Sequence, residues 1–143
     1  MTKLQSARAP TTEAFLAEEG PRLADLCTAC GACFVACPMT RHANLEGADA
    51  SEVTAGLRHL VRGEPASEDT LKWVGACAKS GLCVATCPQL ESGLNAMLLV
   101  RIAKQHALND TKQLPSKNDP ASFPRVKAFA RMQLTEEELK KWL

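Results

Sequence analysis

The stretch that most constrains this chain is Cys27-Thr-Ala-Cys30-Gly-Ala-Cys33-Phe-Val-Ala-Cys37-Pro38. Its spacing, C-x2-C-x2-C-x3-C-P, is the run that binds iron–sulfur clusters through cysteine thiolates. The first three thiolates can wrap one face of a single cluster. Cys37 lies a turn further on and points away from them; in two-cluster proteins the cysteine at that place ligates the other cluster. Pro38 has no N–H and ends the turn. A crossed ligand needs a second run, and Cys77-Ala-Lys-Ser80-Gly-Leu-Cys83-Val-Ala-Thr-Cys87-Pro88 supplies one with a single change. Ser80 stands where the second cysteine would be.

All 7 cysteines fall in these two runs. Structural zinc prefers four ligands in paired C-x2-C form, and seven cysteines divide badly into fours. Disulfides belong to oxidising compartments, and an odd count argues against full pairing. The spacing therefore points to iron–sulfur chemistry.

Composition bears on how such a chain could pack. Aromatic residues make up only 4% of it and there is no Tyr, so large core side chains are scarce. Buried clusters can take their place as filler and cross-links. The formal net charge is +1, before the negative charge of thiolates and sulfides is added. No apolar run approaches a membrane span. Met1 to Pro10 has no apolar signal region, and residues 1–10 are expected to be disordered, in a cytoplasmic protein.

The remaining sequence reads as helices. Thr11-Thr12-Glu13 offers an N-cap, and Gly20-Pro21 is expected to break the short helix that follows. Asp49 and Glu52 resemble a capping box, and Val53, Leu57, Leu60 and Val61 form the stripe of an amphipathic helix up to Gly63. Ser67 caps another helix, in which Trp73 shares a face with Cys77 and reads as a core or shielding residue. A third helix is expected over about Ser92 to Leu108. No alternating strand is evident. The region between Cys37 and Cys77 thus reads as two helices, which favours an all-α ferredoxin over a hairpin-built one. His42 lies near the first run and could ligate iron, but a solvated role fits better. Gly31 and Gly81 are the expected backbone N–H donors to sulfur.

From Asn109 the composition changes. Pro115, Pro120 and Pro124 are expected to break any helix, giving a linker. Arg101 to Arg131 holds seven Lys or Arg against two Asp, and Thr135 to Glu138 is a capping box for a last short helix. Phe123, Phe129 and Trp142 are half of the six aromatics, which suggests an arm that docks on a partner. The expected organisation is residues 1–10 disordered, 11–108 a two-cluster helical domain and 109–143 a linker and docking arm.

A complete first run paired with Cys-x5-Cys-x3-Cys-Pro across helices resembles the α-helical ferredoxin superfamily. That superfamily includes the C subunit of heterodisulfide reductases, and the iron–sulfur subunits of succinate dehydrogenase and fumarate reductase carry the same domain. The resemblance covers about Arg22 to Leu108 and is strongest to the heterodisulfide reductase protein. It implies that Cys27, Cys30, Cys33 and Cys87 hold one 4Fe-4S cluster, and that Cys37, Cys77 and Cys83 hold a second. Ser80 departs from the heterodisulfide reductase pattern, which has Cys there, and from that of succinate dehydrogenase, which has an apolar residue and a 3Fe-4S cluster. A serine oxygen could close a four-iron cluster as an alkoxide, but it is a harder donor than thiolate. The second cluster is thus 3Fe-4S or a Ser80-ligated 4Fe-4S.

The resemblance implies an electron-transfer subunit without bond chemistry of its own, moving electrons between a donor and a catalytic protein partner. That partner would be a thiol–disulfide reductase-like or flavoprotein subunit. The alternatives are an iron–sulfur subunit of another flavin- or quinone-linked dehydrogenase, an enzyme using an open iron at Ser80 with Lys79 beside it, or a cluster-based redox sensor. A chain that is not basic overall gives little support to nucleic-acid binding.

Overall fold

Thr11 starts the first helix. It is in extended backbone and its hydroxyl accepts from the Ala14 N–H at 3.1 Å, which satisfies one of the donors that every helix start leaves free. In the computed structural model, which describes residues 9–112 and 119–142, helix α1 then runs Thr12–Leu26 without interruption. The break expected at Gly20-Pro21 does not occur. Pro21 removes one backbone bond, but Ala17 and Pro21 are both exposed, so the freed Ala17 carbonyl lies on the solvent side. Leu16, Leu23 and Ala24 are buried along one stripe, and Gly20 sits where a Cβ would come within 2.5 Å of the Val61 carbonyl. Tertiary burial of that stripe outweighs the local cost of Pro21.

Among the described residues seven further helices follow: α2 Ala32–Ala36, α3 Ala50–Leu60, α4 Glu68–Ala76, α5 Leu82–Thr86, α6 Ala96–Ala107, α7 Ser122–Gln133 and α8 Glu136–Trp142. Among the described residues there is no strand. Asp49 caps α3 by accepting from Glu52 N at 2.9 Å, and Ser67 caps α4 by accepting from Thr70 N at 3.2 Å. The helix expected from Ser92 starts instead at Ala96, because Gly93 turns the chain at φ +97° and the Asn95 side chain caps Leu98 N at 3.0 Å. Among the described residues no helix is long and apolar enough to cross a membrane.

The first six helices form two similar halves, α1-α2-α3 and α4-α5-α6. In each, a helix delivers the first cysteine of a run, a five-residue helix carries the middle of it, and a longer helix returns along the core. The halves meet where α2 packs on α5 and α3 on α6. The core is built from Leu23 of α1, Val53, Leu57 and Leu60 of α3, Val74 of α4, and Leu99, Val100 and Ile102 of α6. Burial of each such side chain contributes about 1.5–3 kcal/mol. Phe34 of α2 and Trp73 of α4 meet edge-to-face with ring centroids 5.4 Å apart, adding about 0.5–1.5 kcal/mol beyond their area. Helices α3 and α4 approach so closely at Gly56 that a Cβ there would lie 2.1 Å from the Thr70 hydroxyl, which donates to the Val53 carbonyl at 3.0 Å.

The expected linker and arm carry α7 and α8. Pro124 does not prevent α7, since it lies in the first turn, where a missing N–H costs nothing. Thr135 and Glu138 form the expected capping box of α8, with reciprocal bonds of 3.3 and 2.8 Å. Residues 1–8, within the expected disordered N-terminus, and 113–118 with Pro115, within the expected linker, lie outside the described residues.

Candidate metal centres

The two cysteine loops are built alike. Each leaves the end of a helix, passes a non-glycine residue in left-handed backbone (Ala29 at φ +54°, Lys79 at φ +60°), and reaches a left-handed glycine (Gly31 at φ +84°, Gly81 at φ +76°) that starts the next short helix. A left-handed Ala or Lys costs about 1–2 kcal/mol. The bend has a use, because it turns the Ala29 N–H to the Cys27 sulfur and the Lys79 N–H to the Cys77 sulfur, both at 3.4 Å. These, not the N–H groups of Gly31 and Gly81, are the backbone donors found at those two sulfurs. Gly31 is needed for space as well as for φ, since a Cβ there would lie 2.7 Å from that of Ala50.

Two recesses of about 380 Å³ each, measured out to their mouths, lie inside these loops. Cys27, Cys30, Cys33 and Cys87 line the first, between walls that include Leu57, Leu94 and Leu99. Cys37, Cys77, Cys83 and Ser80 line the second, with Met39, Trp73, Met97 and Val100. Each recess therefore takes sulfur from both runs. Cys30 is exposed and the other six cysteines are half-buried. Ser80 accepts a long bond of 3.5 Å from the Leu82 N–H. His42 is exposed and lines neither recess. Trp73 is buried and forms part of the wall of the second.

Four of the thiols, Cys27, Cys33, Cys37 and Cys83, are held from ionising. Burial pushes Cys33 up to about 12, with Cys27 and Cys83 next among the charges that add to it. Burial pushes Cys83 up to about 11, with Cys77 and Cys37 contributing. Cys27 is raised chiefly by burial, and so is Cys37, where the Trp73 indole works the other way. Thiols gathered in an apolar recess resist ionising, and once ionised they repel one another. A bound cationic group reverses both effects. Among the described residues no three His, Cys, Asp or Glu converge closely enough to hold a single ion. Thiols set around a recess, with N–H groups aimed at sulfur, fit a polynuclear iron–sulfur group.

A group of charged residues beside the second recess was not apparent in the sequence. Arg125 of α7 is buried, with Nε donating to the Cys77 carbonyl at 3.3 Å. Its guanidinium also makes a two-pronged pair with Asp119, one arm at 3.0 Å. Lys104 of α6 joins Asp119 at 2.7 Å and donates to the Gly75 carbonyl at 3.4 Å. Bonding from Arg125 and then Lys104 holds the Asp119 carboxyl well below the usual carboxylate range against the opposing effect of burial. Burial pulls Lys104 down. In sequence these residues were part of a basic run, and nothing in local spacing pairs Lys104 with Asp119.

A family model described as a 4Fe-4S dicluster domain matches residues 23–95, which is just over half of the chain and includes every cysteine. No curated protein and no solved structure matches the chain.

Proposed function

Because the chain belongs to the 4Fe-4S dicluster domain family, whose iron–sulfur clusters suit it to electron transfer, we propose that it relays electrons between two protein partners as a cytoplasmic subunit of a heterodisulfide-reductase-like complex. The observation that carries this reading is the pair of recesses, each ringed by cysteines from both runs. In this reading Cys27, Cys30, Cys33 and Cys87 hold the first cluster, and Cys37, Cys77 and Cys83 hold the second. Bound clusters supply reversible one-electron chemistry. The chain's own residues do the rest. Ala29 and Lys79 N–H groups bond to ligand sulfur and stabilise its negative charge. Leu57, Leu99, Trp73 and Val100 keep water from the inner walls. The α2–α5 contact sets the two sites side by side, since Cys83 is near enough to bear on the Cys33 thiol.

Ser80 makes the second centre the weaker one. A serine must lose a proton to bind iron well, and oxygen is a harder donor than sulfur, so this centre holds three irons when isolated in air. Partners dock on apolar side chains left exposed near the loops and on the arm, among them Val35 at 77% exposure and Trp142 at 78%. The test is anaerobic purification with iron and labile sulfide counted, followed by electron paramagnetic resonance. Two clusters, one giving an oxidised three-iron signal after exposure to air, are expected. Zinc without sulfide would end the reading.

A further inference from the structure

The charged group at the second recess is far more deeply buried than its counterpart at the first, where Arg62 joins Asp25 at 2.5 Å with side chains 27% and 73% exposed. At the first, Arg58 of α3 donates Nε to the Ala24 carbonyl at 3.1 Å in the last turn of α1. Lys104 stands at the matching step of α6 (Ala50 to Arg58, Ala96 to Lys104) and donates to Gly75 in the last turn of α4. Each half thus sets a cation of its third helix on a carbonyl in the last turn of its first helix, where the end leaves carbonyls unpaired. The second half has Arg125 in addition, on the carbonyl of Cys77 itself. Asp119 and Arg125 both come from beyond the family match, which ends at residue 95. Their side chains are only 11% and 7% exposed. A buried two-pronged pair, bonded further to a lysine and a main-chain carbonyl, is not a solvated tail. Arg125, Asp119 and Lys104 tie α7, α6 and the Cys77 loop into one unit.

We propose that this C-terminal clamp is part of the second metal centre, with Arg125 as a positioning residue that fixes the Cys77 loop and sets that centre's potential. The inference rests on the reading of the recesses as cluster sites. Two consequences separate it from plain structural support. The Nε bond holds the Cys77 carbonyl, and with it the backbone that presents the Cys77 sulfur, so its loss makes the second centre release iron faster. The clamp also carries two cations and one carboxylate beside that centre. Nearby positive charge favours the added electron of the reduced state. Removing Arg125 therefore lowers the second centre's potential, and removing the charge of Asp119 raises it.

The experiment is a redox titration of holoprotein followed by electron paramagnetic resonance, with iron and sulfide counted and chelator-driven iron release timed. Arg125→Ala should lower the potential of the second centre and speed its iron release about tenfold, the low end of what an outer-shell partner of a metal ligand contributes. The first centre should not move. Arg125→Lys should restore the potential more fully than the release rate, because it keeps the charge without the fixed fork of the guanidinium. Asp119→Asn should shift the potential upward. A second centre indistinguishable from wild type in Arg125→Ala overturns the clamp, as do equal shifts in both centres or same-sign shifts in Arg125→Ala and Asp119→Asn. Should Arg125→Ala fail to keep its helix content, Arg125→Lys decides by faster iron release at near-wild-type potential and Asp119→Asn by its upward shift; wild-type release in the first or no upward shift in the second overturns the clamp. Wild-type protein without iron and sulfide would instead sink the cluster reading itself, whereas iron-loaded variants with an unmoved second centre sink the clamp alone.

Discussion

The two halves of the domain share a plan and differ in how their loops are held. In the first, Gly31 is wedged against Ala50, Arg58 caps the end of α1, and four cysteines line the recess. In the second, a Cβ at Gly81 would meet the Met97 sulfur at an ordinary contact distance of 3.9 Å, and Ser80 stands at the place of a cysteine. There Lys104, Asp119 and Arg125 lock the loop from outside. The first loop is fixed by close packing from within. The second is looser inside, lacks one thiolate, and is braced by a segment that lies far along the chain. Similar backbone can thus be held by steric fit in one place and by buried charge in the other, and the two respond to different substitutions.

The largest effect is expected from removing the one cysteine that each half lends the other. Cys87→Ala should abolish the first centre and spare the second, and Cys37→Ala should do the reverse, as read by iron content and spectra. Loss of the centre belonging to the mutated run would show that the halves are self-contained. Next in size is Ser80. Ser80→Cys should convert the second centre to a stable four-iron form and make the halves alike in ligands, while Ser80→Ala should leave a three-iron signal unchanged. A four-iron signal surviving in Ser80→Ala would mean that another donor closes the site.

A smaller effect is expected from packing. Gly31→Ala meets both an unfavourable φ and the Ala50 side chain, whereas Gly81→Ala meets the φ alone. Urea denaturation should show about 1–2 kcal/mol lost for Gly81→Ala and about 1–3 kcal/mol more for Gly31→Ala. Equal losses would erase the proposed difference in fit. The smallest effect belongs to Arg58→Ala, which leaves one helix-end carbonyl to water. It should cost about 1 kcal/mol and should alter iron release from the first centre only.

Much of this was legible in the sequence because it is local. The two cysteine runs, the caps at Thr11, Asp49, Ser67 and Thr135, and the stripe Val53, Leu57 and Leu60 all lie within a few residues of what they act on. Gly20-Pro21 misled because the burial that carries α1 through it comes from Val61 and the rest of the core. Pro124 misled because a proline breaks a helix only beyond its first turn. Residues 109–143 read as a linker and arm, and no short-range pattern reveals that Arg125 reaches back to Cys77. The same run of basic residues would look identical in a tail that touched nothing.

The crossing of sulfurs between recesses has a further consequence, for the order of events in time. Each recess draws on both runs, and Cys87 is the last cysteine in the chain. A polypeptide emerging from the ribosome therefore has neither ring of thiols finished until the second run has appeared. Neither half, made alone, would have a completed recess. A chain that stalls before the second run is left with unmatched thiols and an open core.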